Sequence, residues 1–417
     1  MADKADVIVL GGGMVGVSVA LHLQKLGRRT ILVERTQPGL GASFGNAGLI
    51  QSEAVMPQLF PRRIKDILHY ALNRSSESYY HLSALPGLAK PFLRYWMNSH
   101  PDRVKEIAHA RLPLINRSIA DHLELAAEAD ALDLFRHNGW TQVYTRQDRF
   151  DPALEEITGI AREFEIPFMP LSSQELATHE PYLRPGLVGG IHWPQPVSVI
   201  DPHALTTAYA KLFTRLGGEL HIAEVRGLEP IQAGWNVIAS EATLTGREVV
   251  IATGISAPQL TRQLGYHPPI FAKRGYHLHF GLSGNASLTR AILDAEAGYV
   301  LVPMRRGIRL TTGAEFARPH AEPTPVQLAR TVPMAHALLP ALGDPIDSQP
   351  WFGSRPCLPD MLPIIGRVPK KPGAWFAFGH AHQGLTLGPT TGRLLSQMMT
   401  GAVPFTDPTP YRAERFQ

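Results

Sequence analysis

At 417 residues the chain is long enough for two domains with separate cores, and 44% hydrophobic with 18% charged residues is the make-up of a packed globular protein, not a disordered one. Its 40 basic and 36 acidic residues leave a net charge of +4 with no long basic block, so no nucleic-acid partner is expected. One cysteine, Cys357, excludes an internal disulfide, and the opening MADKAD lacks the basic flank, apolar core and cleavage site of a secretory signal; a reducing, cytoplasmic location is the expectation, and no metal is expected.

The first element, Val7 to Leu23 (VIVLGGGMVGVSVALHL), carries no charge and approaches the ~20 residues of a membrane span. Its glycines argue against that, because Gly11, Gly12, Gly13 and Gly16 would each cost a helix about 1 kcal/mol relative to Ala. The run reads instead as a buried strand, a glycine turn and a helix from Met14 to Leu26, followed by a second strand, TILVE, that ends in Glu34. Gly11-x-Gly13-x-x-Gly16 in that setting supplies what a dinucleotide requires: a tight turn, close backbone approach to a pyrophosphate and close helix-strand packing. Glu34 adds a carboxylate for ribose hydroxyls.

After Glu34, RTQPGLGASFGNAGLIQ is a loop of small residues, costly to order without a ligand to lie against. From about Ser52 helical periodicity runs through IKDILHYAL, LAKPFLRYWMN and LPLINRSIADHLELAAEADAL, and strand-like WTQVYT and GGIHWP follow. Asp201 reads as a helix N-cap with Pro202 in the first turn, and Gly217-Gly218 closes that helix. REVVIATGISAPQL repeats the strand-turn-helix pattern. YHLHF, GYVLVPM and IRLTTGAEF read as sheet, and VQLARTVPMAHALL as a helix that contains a proline. The chain closes with GSRPCLPDMLPIIG, a strand AWFAFGH and a glycine-flanked helix, GLTLGPTTGRLLSQMMTG. The apolar LAKPFLRYWMNS suits peripheral contact with the inner face of a membrane or with a quinone-linked partner, although aromatic helices of this kind more often pack inside a domain core.

The order of five segments, VIVLGGGMVG with Glu34, GASFGNAG, VVIATG, SRPCLPDMLPIIG and GHAHQGLTLGPTTG, resembles the D-amino-acid oxidase superfamily of flavoproteins. The nearest branch is that of D-amino-acid dehydrogenases and glycine-oxidase-like enzymes. The resemblance takes in both ends and the middle of the chain and is much weaker over residues 52–196. It implies an α/β fold, with a Rossmann-like FAD-binding domain from residues 1–51, 197–262 and 351–417 and a discontinuous, sheet-based α+β substrate-binding domain from 52–196 and 263–350. It also implies noncovalent FAD as the cofactor, since Cys357 stands away from the position where sarcosine-oxidase relatives attach flavin. The implied cofactor contacts are Gly11, Gly13, Met14, Val15, Gly16, Glu34 and Arg35 in the first turn, with Ser43 at the pyrophosphate. Ala47 and Gly48, with their neighbours Asn46 and Leu49, are implied along the flavin ring, Val225 at the adenine, and Ala252, Thr253 and Gly254 near the pyrophosphate. Gly384, Leu385 and Thr386 precede the last helix, whose free N–H groups suit the anionic pyrimidine side of a reduced flavin, with Gly384 and Gly388 allowing close approach.

The implied reaction is oxidative deamination of a small D-amino acid or a cyclic, D-proline-like secondary amino acid, by hydride transfer from the α-carbon to flavin. Arg355 in SRPCLPD matches the arginine that binds the substrate carboxylate in such relatives, and a guanidinium fork suits that bidentate contact. Tyr276 and His382 are the best further candidates to face the substrate. The resemblance favours a dehydrogenase that passes electrons to a quinone or protein acceptor. Two alternatives stand beside it: an oxidase, in which a cation such as Lys273 promotes reaction with dioxygen, and a partner-dependent subunit that holds FAD structurally. Leu358-Pro359-Asp360-Met361 replaces the Thr-Pro-Asp followed by Gly of many dehydrogenase relatives, so that loop is no guide to substrate size.

Overall fold

The computed structural model describes residues 4–318 and 320–417; Met1–Asp3, the start of the segment read for a leader, and Pro319 lie outside the described residues. Two large sheets organise the chain. In the first, parallel strands run in the order Glu219–Ile222, Thr30–Glu34, Ala5–Leu10 and Thr243–Ile251, and Ala374–Phe378 joins alongside the C-terminal half of Thr243–Ile251. An antiparallel hairpin, Val225–Ile231 with Gly234–Ala239, extends the N-terminal half of the same strand. VIVL and TILV are continuously apolar because both faces of a parallel sheet are covered. Val7, Val9 and Leu32 enter one core while Ile8, Leu10, Ile31 and Val33 enter the other, as the two-residue period of a strand demands.

The first helix, Met14–Lys25, packs along the last long one, Gly388–Thr400, at unusually short range. A Cβ on Gly388 would lie 2.5 Å from Met14 Cγ, and one on Gly392 would lie 2.6 Å from the Ser18 carbonyl oxygen. Gly388 is thus required by helix packing, which corrects the expectation that it makes room for a flavin.

The second sheet has eleven strands around the long strand Phe271–Leu282. Trp351–Cys357, expected in the nucleotide-binding domain, belongs here: it pairs antiparallel from Phe271↔Cys357 to His277↔Trp351, and this continuous ladder fixes its place. The long helix Pro101–Glu128, expected in the substrate domain, packs against Gly388–Thr400 and Pro202–Arg215 and so leans on the nucleotide side. Helix Leu85–Asn98 buries only Leu88 and Tyr95, and helix Ile64–Ala71 buries no side chain, so neither is the core element that its apolar content suggests. Asp201 caps Pro202–Arg215 as expected, accepting the Ala204 N–H at 2.9 Å.

Candidate functional site

The carboxyl ends of Ala5–Leu10 and Thr243–Ile251 lie side by side, and the chain leaves them in opposite directions, which is where open parallel sheets bind ligands. The turn is built from backbone. Gly11 N–H donates to Val33 O at 2.8 Å and Ala252 N–H to Leu10 O at 2.9 Å. Gly11 sits at φ +104°, where a Cβ would meet Ala252 O at 2.7 Å, and a Cβ on Gly16 would fall 1.8 Å from Gly11 O. These two glycines serve the chain's own packing. Gly13 differs, since nothing but Ser43 Oγ, at 3.5 Å, stands near its missing Cβ. No side chain of Gly13 caps the helix behind it; Met14 N–H donates to Ser43 Oγ at 3.0 Å, and Val15 and Gly16 follow in the same turn.

Glu34 closes the turn from the second strand: its Oε2 accepts Gly12 N–H at 2.6 Å and its Oε1 accepts Thr36 N–H at 3.3 Å. Ala223 N–H bonds to Glu34 O at 2.8 Å, which brings Val225 to the same edge, while Arg35 continues onto the surface. On the other side of the switch point the Thr253 hydroxyl is buried without a partner, and Gly254, at φ +55°, has open space where a Cβ would be. A buried hydroxyl with no partner, a helix start whose N-cap residue is a glycine without a capping side chain, and an open glycine fit the pyrophosphate of a dinucleotide.

The small-residue loop is clasped to the segment before the last helix. Asn46 Nδ2 donates to His382 O at 3.3 Å while its Oδ1 accepts Gly48 N–H at 2.8 Å. Thr386 Oγ1 donates to Leu49 O at 3.1 Å. From the second sheet Arg309 donates to Phe44 O at 3.1 Å and Asn46 O at 2.6 Å, so the loop is ordered by side chains from distant parts of the chain. Gly48 owes its identity to pairing with Val197–Val199, because a Cβ there would lie 2.2 Å from Val199 O. Ala47 is partly buried beside it and Leu49 is buried. Gly384 keeps free space, its nearest atom being His380 Cβ at 3.8 Å, and Leu385 O is held by His122 Nε2 at 2.8 Å.

Arg355 and Lys273 are direct cross-strand partners and therefore share one face of the second sheet. The Arg355 guanidinium donates to Gly313 O at 2.9 Å and Thr312 O at 3.2 Å, and it lies against Gly275, where a Cβ would come within 2.5 Å of it. Lys273 Nζ donates to Tyr95 OH at 2.9 Å and to Gln58 Oε1 at 3.2 Å, and burial pushes the ammonium down to about 8. Arg111, on the long helix, donates to Ala54 O and Gln383 Oε1, with its Nε and Nη1 buried and unpaired. None of these three cations forms an ion pair among the described residues, whereas buried Arg274, Asp121, Glu180 and Asp360 all find opposite charges. Burial, with the charges of Arg111, Arg355 and Lys273 added, keeps the His382 imidazole neutral, and its buried Nδ1 has no partner. Cations gathered without a paired acid are costly to bury until a ligand supplies the opposite charge.

Tyr276 does not join this group. The strand's two-residue alternation turns it to the face opposite Lys273, where its hydroxyl donates to Glu315 Oε2 at 2.5 Å and accepts Thr324 N–H at 2.9 Å. It is a buried structural tyrosine, correcting the expectation that it faces a substrate. Sequence reasoning missed Arg111, which no motif marks. It also missed Glu53, whose buried carboxyl is bonded by Trp140 Nε1 at 2.9 Å and Gln51 Nε2 at 3.1 Å and is pushed up to about 7 by burial.

A sequence profile of the FAD dependent oxidoreductases, DAO, matches residues 6–398. The chain belongs to this DAO family. A D-amino-acid oxidase of Bradyrhizobium diazoefficiens is 28% identical to it over 429 residues, covering 100% of each chain. A D-amino acid dehydrogenase of Paramagnetospirillum magneticum is 28% identical over 408 residues, covering 95% of each. The crystal structure of glycine oxidase from Geobacillus kaustophilus shares the fold, with a TM-score of 0.78, 22% identity and 98% of each chain covered. DAO-family flavoenzymes bind FAD, and the Gly11–Gly16 turn with Ser43, Glu34, Thr253 and the segment before the last helix are the residues here that fit it.

Proposed function

We propose that this DAO-family oxidoreductase oxidises a small D-amino acid or a cyclic secondary amino acid such as D-proline at its α-carbon, giving an imino acid. The observation that carries the reading is Arg355: its guanidinium is braced on two backbone carbonyls, pairs with no acid among the described residues and shares its face with Lys273. Held this way, the fork binds a carboxylate and fixes the orientation of the α-hydrogen. FAD, when bound, supplies the two-electron acceptor. Arg111 and Lys273 add positive charge that disfavours an ammonium beside them, so the substrate amine binds neutral, the form that can release hydride. Preference for D-configured substrates is supported by the names of the relatives. The test is a screen of D- and L-amino acids and cyclic imino acids against the flavin-loaded enzyme without oxygen. Rapid flavin bleaching by D or cyclic substrates is expected; faster bleaching by their L counterparts, or bleaching by none, would overturn the proposal.

Transfer of the electrons to a quinone or protein acceptor is the first reading, in line with a dehydrogenase. A second, an oxidase, is favoured by Lys273, a buried cation in the substrate-facing site, since positive charge stabilises the superoxide that forms when dioxygen accepts an electron. Stoichiometric hydrogen peroxide in air, at a rate matching turnover with an artificial acceptor, would select the oxidase.

A further inference from the structure

Among the described residues, 22 large apolar side chains are exposed, and ten of them fall between residues 59 and 97, under a tenth of the chain. Helix Ile64–Ala71 has its apolar stripe turned outward: Ile64, Ile67 and Leu68 are 76%, 39% and 61% exposed, and Leu72 continues the stripe. An amphipathic helix normally lays that stripe on the core. Helix Leu85–Asn98 presents Leu93, Trp96 and Met97 on its outer side. The two surfaces are continuous. Arg62, just before the first helix, donates to Trp96 O at 2.7 Å and stacks on the Trp96 ring, and Tyr80 OH, beside Leu82, bonds to Ala71 O at 2.6 Å.

Charge follows the same pattern. Residues 59–97 hold six basic side chains (Arg62, Arg63, Lys65, Arg74, Lys90, Arg94) against Asp66 and Glu77, an excess of four that equals the net +4 of the chain and leaves the rest neutral. None of the six forms an ion pair among the described residues. An outward apolar stripe flanked by arginines and lysines without acidic partners is the pattern of a helix that lies in the headgroup region of an anionic bilayer. No described helix is long and apolar enough to cross a membrane, so contact of this kind stays at the surface.

We infer that residues 59–97 dock this protein on an anionic lipid surface, with helix Ile64–Ala71 lying in the plane of the headgroups. The inference does not depend on which amino acid is oxidised. It places the bilayer over the substrate end, because helix Leu85–Asn98 turns Tyr95 inward to Lys273 while it turns Trp96 and Met97 outward.

The test is co-sedimentation of the full FAD-loaded chain with vesicles of phosphatidylcholine alone or with one-third phosphatidylglycerol. Binding to the anionic vesicles is expected to be about tenfold tighter or more and to weaken with salt, since each basic residue near such a surface adds attraction. Ile64→Glu/Leu68→Glu should abolish sedimentation at unchanged FAD content and turnover with a soluble acceptor, and Arg63→Glu/Lys65→Glu should remove the preference for anionic lipid. Equal sedimentation of wild type and Ile64→Glu/Leu68→Glu would overturn the inference. So would absence of vesicle binding in a wild type that is dimeric by light scattering and becomes monomeric in Ile64→Glu/Leu68→Glu, which would assign the stripe to a second copy of the chain.

Discussion

The end that fits the cofactor and the end proposed to take the substrate are made from different materials. At the cofactor end the working groups are backbone N–H groups and one carboxylate, set by a turn in which Gly11, Gly12 and Gly16 are each hemmed in by atoms of the chain itself. At the end proposed to take the substrate they are long side chains from three distant segments, Arg111, Lys273 and Arg355, and they carry charge of one sign. The first end is complete as a scaffold before any ligand arrives. On the proposed function the second is completed only by the carboxylate of a substrate, and the two should therefore fail in different ways when altered.

The largest expected effect is at the substrate end. Arg355→Ala should lower kcat/KM for the best amino acid by about 30-fold to several thousand-fold, the equivalent of about 2–5 kcal/mol for a buried charge pair that loses one partner. FAD content and folding should be unchanged, and Arg355→Lys should recover only part, since an ammonium lacks the fork. An amide analogue of the substrate should lose little further in Arg355→Ala; equal losses on acid and amide would make the arginine a structural residue.

A pH experiment sharpens the contrast next, by asking whether Glu53, a buried acid without an ion pair among the described residues, is neutral. Burial raises Glu53 from 4.5 to about 7, so the folded state holds a proton that the unfolded state has released. The stability this contributes is fully present below pH 4.5 and is lost as pH rises through about 7, a change of about 3 kcal/mol. Glu53→Gln keeps a neutral group at every pH. Its thermal stability relative to wild type, measured without FAD, should thus climb between pH 5 and 8; parallel curves would mean that Glu53 is ionised in the fold.

The smallest effect belongs to the cofactor end. Glu34→Ala should weaken FAD binding by about 10- to 150-fold, as expected for loss of about 1.5–3 kcal/mol of charge-assisted hydrogen bonding, with activity restored by excess FAD. Unchanged FAD affinity would confine Glu34 to its bond with Gly12 and remove it from the nucleotide.

This contrast also explains what was legible in the sequence. Gly11, Gly13, Gly16 and Glu34 are readable because strand, turn, helix and strand are consecutive, so spacing alone brings them together. The cap at Asp201 is equally local. The place of Tyr276 is not legible, because the letters KRGYHLHF do not reveal which alternate residues share a face with Arg355. That phase is set by pairing with Trp351–Cys357, where Arg355 lies opposite Lys273. Arg111 was invisible for a related reason: it is one arginine on a 28-residue helix, and only the fold brings it to Gln383. The two helices between residues 64 and 98 were legible as helices, but an apolar stripe does not state which way it will face.

The sheet that carries the cofactor end has a consequence for how the protein is made. Its strand Thr243–Ile251 waits for Ala374–Phe378, and its first helix waits for Gly388–Thr400, both encoded in the final stretch of the chain. At about 5–20 residues per second, ribosomes have already exposed the first strands for tens of seconds when those partners emerge. Throughout that interval half of one edge of Thr243–Ile251 remains an open template for wrong pairing. The cofactor-binding sheet is consequently finished only after both partners have been made, and a chain that lacks Gly388–Thr400 is left with an apolar face on Met14–Lys25 that this helix no longer covers.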